Sequence, residues 1–172
     1  MHAEKSGTNK TKGSGLPKKV CAFLGVYPPL SAVNKKTFTT EPPMDADARR
    51  EILDQTTENI IGCCYTVIST LGSGFLEKVY ENALSHEIRK TGLTVLTQHP
   101  VKVMYDGVEV GDYIADLLVD GQILVELKAV RALDNIHRAQ CLNYLKATGH
   151  SVCLLINFGA PKLEVRRIVL DY

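Results

Sequence analysis

Apolar positions along this chain recur at helical spacing in some stretches and gather into short runs in others, and the change between them outlines the fold. From Asp45 or Asp47 onward, Ile52, Thr56, Ile60, Cys63, Val67 and Leu71 return every three or four residues, the period of an amphipathic helix. Gly72-Ser73-Gly74 ends it. Phe75 to Lys90 repeats the pattern, with Leu76, Val79, Ala83, Leu84 and Ile88 as the expected buried face and Gly92 as the stop. Four strands are then predicted, at about 94–98, 101–105, 108–119 and 123–130, with Asp106-Gly107 as a hairpin turn. Asp134 opens a third helix that runs to about Ala147 and stops at Gly149. Val152 to Phe158 and Leu163 to Leu170 read as two closing strands. The order αα-ββββ-α-ββ predicts an α/β (α+β) domain, a mixed sheet flanked by helices.

Charges interrupt that pattern in IADLLVDGQILVELKAV, residues 114–130. Two apolar runs split by a Gly-containing turn predict neighbouring strands in a sheet covered on both faces. Ionised groups are seldom buried in such a place unless paired or metal-bound, because desolvation is costly. Glu126 and Lys128 are two apart and share a strand face. Whether Asp116 joins them depends on the turn. A two-residue loop sets Asp116 against Val125 and leaves Glu126 on the other face. A three-residue loop, Asp120-Gly121-Gln122, pairs Val119 with Ile123 and brings Asp116 opposite Glu126, with Gly121 free to adopt the left-handed conformation such loops need. The second register yields an Asp and a Glu-x-Lys together, a set suited to a metal ion and a phosphate. A surface hairpin with a solvated Glu and Lys takes either register.

The length of 172 residues and the 45% hydrophobic content suffice for one domain with its own core. No apolar run approaches the ~20 residues of a membrane-spanning helix, so no membrane role is expected. Cys21 to Val26 is too short for a secretory signal. The five cysteines include no C-x-x-C, and Cys63, Cys141 and Cys153 stand in apolar surroundings. Buried thiols in a reducing cytoplasm are expected, not a zinc site or a disulfide framework. The net charge of +1 hides an asymmetry. Residues 1–43 hold seven Lys against two Glu, a net of +5, and contain Pro28-Pro29 and Pro42-Pro43. Two readings stay open for them: a disordered basic extension, or sequence upstream of a natural start at Met44. Either way the folded domain is expected over 44–172, with 1–43 dispensable. The remainder carries thirteen Lys or Arg against seventeen Asp or Glu, a net of −4, which counts against tight non-specific DNA binding. An acidic metal site would account for much of that charge and would lose it on binding Mg²⁺.

The other motifs are weak one at a time. Gly74, Glu77 and Tyr80 form G-x-x-E-x-x-Y, with Glu77 and Tyr80 neighbours on one helical face, although an acid near a helix start is favoured by the macrodipole alone. Gln140 and Tyr144 form Q-x-x-x-Y, which also reads as a polar pair facing the sheet. His137 reads as a surface histidine, and Arg131, Arg138 and Lys146 as solvated charges or phosphate contacts. No histidine has metal-ligand spacing, and no Gly-rich nucleotide-binding loop occurs.

Taken together, these blocks resemble the PD-(D/E)XK nuclease superfamily, with a Q-x-x-x-Y helix similar to that of RecB-type nucleases. More narrowly, GSGFLEKVYENAL, DYIADLLVDGQILVELKAV, AQCLNYLKATG and LLINFG resemble the family named for its GxxExxY motif, over about residues 48–170. Ala115 stands where the superfamily label has Pro, a departure outside the chemistry. The resemblance implies a restriction-endonuclease-like α-β-β-β-α-β core that binds one or two Mg²⁺, with Mn²⁺ as a substitute. Asp116 and Glu126 would be metal ligands, helped by the backbone carbonyl of Leu127. A water acidified by the metal would attack the phosphodiester, and Lys128 would orient it or stabilise charge on phosphorus. Glu77 would hold a water or a second ion, Gln140 would support the site, and Tyr80, Tyr144, Arg131 and Arg138 would bind nucleic acid or brace the site. The function implied is a Mg²⁺-dependent nuclease acting on nucleic acid, DNA foremost, in repair or defence. The alternative is a catalytically silent module of the same fold that binds nucleic acid or a protein, and a protein partner or homodimer stays open.

Overall fold

The structure is a computed structural model and describes residues 45–170. The expectations for residues 1–43 and for a start at Met44 lie outside the described residues. Three helices and five strands follow in the order α1 (Ala46–Leu71), α2 (Glu77–Lys90), β1 (Val95–Tyr105), β2 (Val108–Val119), β3 (Ile123–Lys128), α3 (Asn135–Thr148), β4 (Val152–Asn157) and β5 (Glu164–Val169). The strands form one mixed sheet in sequence order, antiparallel except for the β3–β4 pair. A parallel pair needs a crossover, and α3 supplies it.

Both faces of the sheet are covered. Ile60, Cys64 and Val67 of α1 and Tyr80, Leu84 and Ile88 of α2 pack on Leu117, Val125, Leu127, Leu154 and Ile156. Cys141, Tyr144 and Leu145 of α3 pack on Leu124, Cys153 and Leu155 from the other side. Central β3 and β4 are therefore apolar on both faces, which explains their near-continuous hydrophobic runs. Each large side chain removed from water here contributes roughly 1.5–3 kcal/mol. Cys63, Cys64, Cys141 and Cys153 are all buried free thiols.

Three expectations change. The segments 94–98 and 101–105 form one strand, β1, that continues through Pro100. Because β1 lies at the sheet edge, the missing N–H of Pro100 costs no ladder bond toward a further strand. On α2, Leu76 is 80% exposed and Val79 is also exposed, so the buried stripe is Tyr80, Glu81, Leu84, Ser85 and Ile88. Leu76 is the N-cap, before the helix begins, and the helical period therefore starts two residues later than the apolar pattern suggested. His137 is a capping residue. Its Nδ1 accepts the Asp134 backbone N–H at 3.1 Å while Asp134 accepts the N–H groups of Ile136 and His137, which closes a capping box at the start of α3.

The outer part of the β1–β2 hairpin is rotated relative to the inner part. Val95 and Leu117 belong to the α1/α2 face, yet Val101 and Ala115, an even number of residues away, belong to the α3 face. A regular strand keeps even spacings on one face. The switch on both strands falls between Thr97↔Leu117 and His99↔Ala115, where Gln98 and Asp116 stand opposite each other. Gln98 has φ +53°, the left-handed region that a non-glycine residue seldom enters.

Candidate active site

The β2–β3 turn decides whether a site exists, and it takes the longer form. Val119 pairs with Ile123 and Leu117 with Val125, so one further step sets Asp116 against Glu126. Asp120 and Gly121 both have positive φ (+48° and +64°), and Gln122 N–H donates to Val119 O at 3.0 Å. Glycine carries no penalty there, but Asp120 does. Its carboxylate offsets that penalty by accepting both the N–H (2.7 Å) and the hydroxyl (2.9 Å) of Thr94.

At the open end of this hairpin, Asp116, Glu126 and Lys128 converge. Leu127 N–H donates to Asp116 Oδ2 at 2.7 Å, and Lys128 Nζ lies 2.6 Å from Glu126 Oε1. Burial raises the Asp116 carboxyl above its ordinary range, with Glu81 and Glu77 adding to the effect against Leu127 N–H and Lys128. Burial, then the Asp116 charge, pushes Glu126 up to about 7, even against the Lys128 ammonium. Burial works against the charge on Lys128, but the hydrogen bond to Glu126 and the surrounding carboxylates outweigh it and raise its pKa. The site thus holds more negative charge than its one inward lysine neutralises.

The start of α2 brings the other acids. Glu77, its first residue, accepts Ala129 N–H at 3.3 Å and so ties the helix to the end of β3. One turn later Glu81 is 3% exposed, bonded to Lys78 Nζ (2.6 Å) and to Gln98 Nε2 (2.8 Å). Tyr80 is fully buried. Its ring stacks on Phe158 with centroids 4.6 Å apart, and its hydroxyl donates to Gly72 O and accepts Phe75 N–H. The tyrosine of G-x-x-E-x-x-Y therefore pins the glycine turn that aims Glu77.

Tyr144 is likewise buried. It accepts from Gln140 Nε2 at 2.6 Å and donates to Ile114 O at 3.1 Å, which fixes α3 against β2 just before Asp116. Burial, then the Glu126 charge, pushes its phenol up to about 12, so it keeps its proton. Gln140 is thus bonded to Tyr144 rather than to either carboxylate. Arg131 and Arg138 are exposed, and their side chains form no hydrogen bond or ion pair among the described residues. The structure does not bring them into the cluster.

Three contributors were not legible as site residues. Glu81 had one signal, a carboxylate four residues after Glu77 on the apolar stripe of the helix. Asn157, fully buried at the end of β4, had another, a polar residue inside LLINFG. Its amide binds both backbone groups of Val130 (3.0 and 2.9 Å) and Gly159 N–H (3.0 Å), which fixes the chain just after Lys128. Gln98 had none.

A divalent cation fits this donor set. Glu126 Oε2 is buried with no hydrogen-bond partner, and a carboxylate oxygen is left bare of solvent only at substantial cost. Asp116 and Glu126 offer hard anionic oxygens. Among the described residues no group of three or more His, Cys, Asp or Glu is arranged to hold a metal ion. The fit is therefore to an ion that takes two protein carboxylates and completes its shell with water and phosphate oxygens, as Mg²⁺ does. No helix among the described residues is long and apolar enough to cross a membrane.

A family model described as the PD-(D/E)XK nuclease superfamily covers residues 54–168, from within α1 into β5. No curated protein and no solved structure matches the chain.

Proposed function

Because this chain belongs to the PD-(D/E)XK nuclease superfamily, we propose that it is a divalent-cation-dependent nuclease that hydrolyses phosphodiesters, with DNA as the substrate. Within the superfamily we assign it to the group marked by G-x-x-E-x-x-Y, because Gly74, Glu77 and Tyr80 form one working unit: the tyrosine holds the turn and the turn aims the glutamate. The observation that carries the reading is the bare, buried Glu126 Oε2 beside Asp116 and Lys128.

Asp116 and Glu126 are the proposed cation ligands, with the Leu127 carbonyl as a third. When bound, the cation, Mg²⁺ or Mn²⁺, supplies Lewis acidity that lowers the pKa of a water and offsets charge on the phosphate. Hydrolysis forms a bond from a water oxygen to phosphorus and breaks the bond to one ester oxygen. Lys128 Nζ lies 2.6 Å from Glu126 Oε1, and a cation held by Glu126 would leave that ammonium to donate to a phosphate oxygen. Glu77 orients a water from the side of α2. Gln140 and Tyr144 keep Ile114, and so the approach to Asp116, in place.

The test is incubation of the full chain with single-stranded, duplex and branched DNA and with RNA, with and without Mg²⁺ or Mn²⁺. Cation-dependent cleavage of DNA is expected. Lys128→Ala should lower the rate at least ~10-fold while the cation still binds. No cleavage of any substrate in any metal would leave the fold without its chemistry and favour the silent binding module.

A further inference from the structure

The Gln98–Asp116 pair is the point at which the β1–β2 hairpin changes face. It is also where the elements carrying the acids meet. Gln98 has no counterpart among the motif residues, yet it occupies a left-handed backbone conformation that costs a side-chain-bearing residue roughly 1–2 kcal/mol. A turn residue in that position would be replaceable by glycine or asparagine. Glutamine is a poor choice for a turn, which directs attention to its side chain.

That side chain spans two carboxylates. Nε2 donates to Glu81 Oε2 at 2.8 Å and lies 3.4 Å from Asp116 Oδ1. The amide nitrogen carries two protons, enough for one to each acid. Asp116 is thereby held at both oxygens, Oδ2 by Leu127 N–H and Oδ1 by Gln98. Glu81, 3% exposed and paired on its other oxygen with Lys78, is the fixed anchor at the far end. Without the bridge, two carboxylates of like charge face each other across the junction of α2 and β2, and Asp116 Oδ1 loses the partner that sets its direction.

We propose that Gln98 is a positioning residue for Asp116, its left-handed backbone turning the hairpin over at the site and its amide linking the Glu81 and Asp116 carboxylates. The proposal rests on the reading of Asp116 as a cation ligand. Gln98 touches neither cation nor phosphate. It sets the direction of an oxygen that does, in the way outer partners of metal ligands commonly do.

Backbone and amide can be separated by substitution in the full chain. Gln98→Ala keeps the unfavourable backbone and removes the amide, Gln98→Gly removes both, and Gln98→Asn keeps an amide on a residue that tolerates the left-handed region. Melting temperature in a chelator, the Mg²⁺ midpoint from the cation-dependent rise in melting temperature, and kcat and KM on a DNA substrate are the readouts. Gln98→Gly should melt a few degrees above Gln98→Ala, while both need about tenfold more Mg²⁺ than the unsubstituted chain. Both should lose kcat with KM little changed, and Gln98→Asn should recover part of the cation affinity. If Gln98→Gly restores Mg²⁺ affinity along with stability, the residue is merely structural and the proposal falls. If neither variant alters the Mg²⁺ midpoint while the unsubstituted chain cleaves DNA, the proposal falls and the nuclease reading stands. An unsubstituted chain with no Mg²⁺-dependent stabilisation and no cleavage overturns both.

Discussion

Glu126 is a carboxylate that the fold keeps away from water without giving both oxygens a partner. Its pKa in the folded chain, about 7, lies above the ordinary 4.5, so the folded state holds a proton that the unfolded state has released between those values. The contribution of this group to stability is therefore full below pH 4.5 and is lost as the pH rises through about 7. In a chelator, the melting temperature of the wild type should fall across that interval. Glu126→Gln should flatten the fall and leave the metal-free chain about 1–2 kcal/mol more stable than wild type at pH 8. A wild-type melting curve that does not change from pH 4.5 to 8 would contradict the burial of this carboxylate.

The end of β3 is held as an element by the end of β4. Phe158 N–H donates to Lys128 O at 2.8 Å, Asn157 binds both backbone groups of Val130, and Gly159 lies so close to Ala129 and Val130 that a Cβ there would collide with their backbone. Asn157→Ala leaves buried backbone groups unpaired and should cost about 2–4 kcal/mol, measured by denaturant unfolding. Gly159→Ala should cost about 3 kcal/mol, because the backbone carrying Ala129 must move. That movement also displaces the N–H that Glu77 accepts, so cleavage should drop further than stability alone accounts for. A Gly159→Ala chain with wild-type stability and rate would show that this close approach has no bearing on the site.

For the whole molecule, the proposed cation site would set stability against binding. Like charges held together weaken the metal-free state, and an ion that binds only the folded state restores it. Asp116→Asn should abolish cleavage yet leave the metal-free chain as stable as wild type or slightly more so, by up to ~1 kcal/mol. Mg²⁺ at 100 times its Kd should stabilise the wild type by about 2.7 kcal/mol and Asp116→Asn by clearly less, read as melting temperature against Mg²⁺. Equal Mg²⁺ stabilisation of both would place the ion elsewhere. Cleavage that survives Asp116→Asn in a clean preparation would mean a different active site or a contaminating nuclease.

The sequence by itself determined the elements and the principal acids. A helical period set α1, Asp134 and Gly149 bounded α3, and near-continuous apolar runs set the buried strands, because burial on one face or both leaves a record in side-chain polarity. The Asp116, Glu126 and Lys128 spacing allowed only one register to make a site, and Gly121 supplied the backbone for it. What the tertiary structure alone decided concerns residues whose role depends on distant parts of the chain. The switch of faces at Gln98 breaks the alternation on which strand reading depends, and no composition signal marks a glutamine in a left-handed conformation. Glu81, although on the apolar stripe of α2, shows no link to Asp116 until Gln98, remote in sequence, is placed between them. Tyr80 and Tyr144 are readable from sequence as contacts or braces, and their burial beneath the sheet's neighbours is visible only in the tertiary structure. Local polarity is written residue by residue, whereas the partner of a buried charge is set by chain crossings that no local pattern encodes.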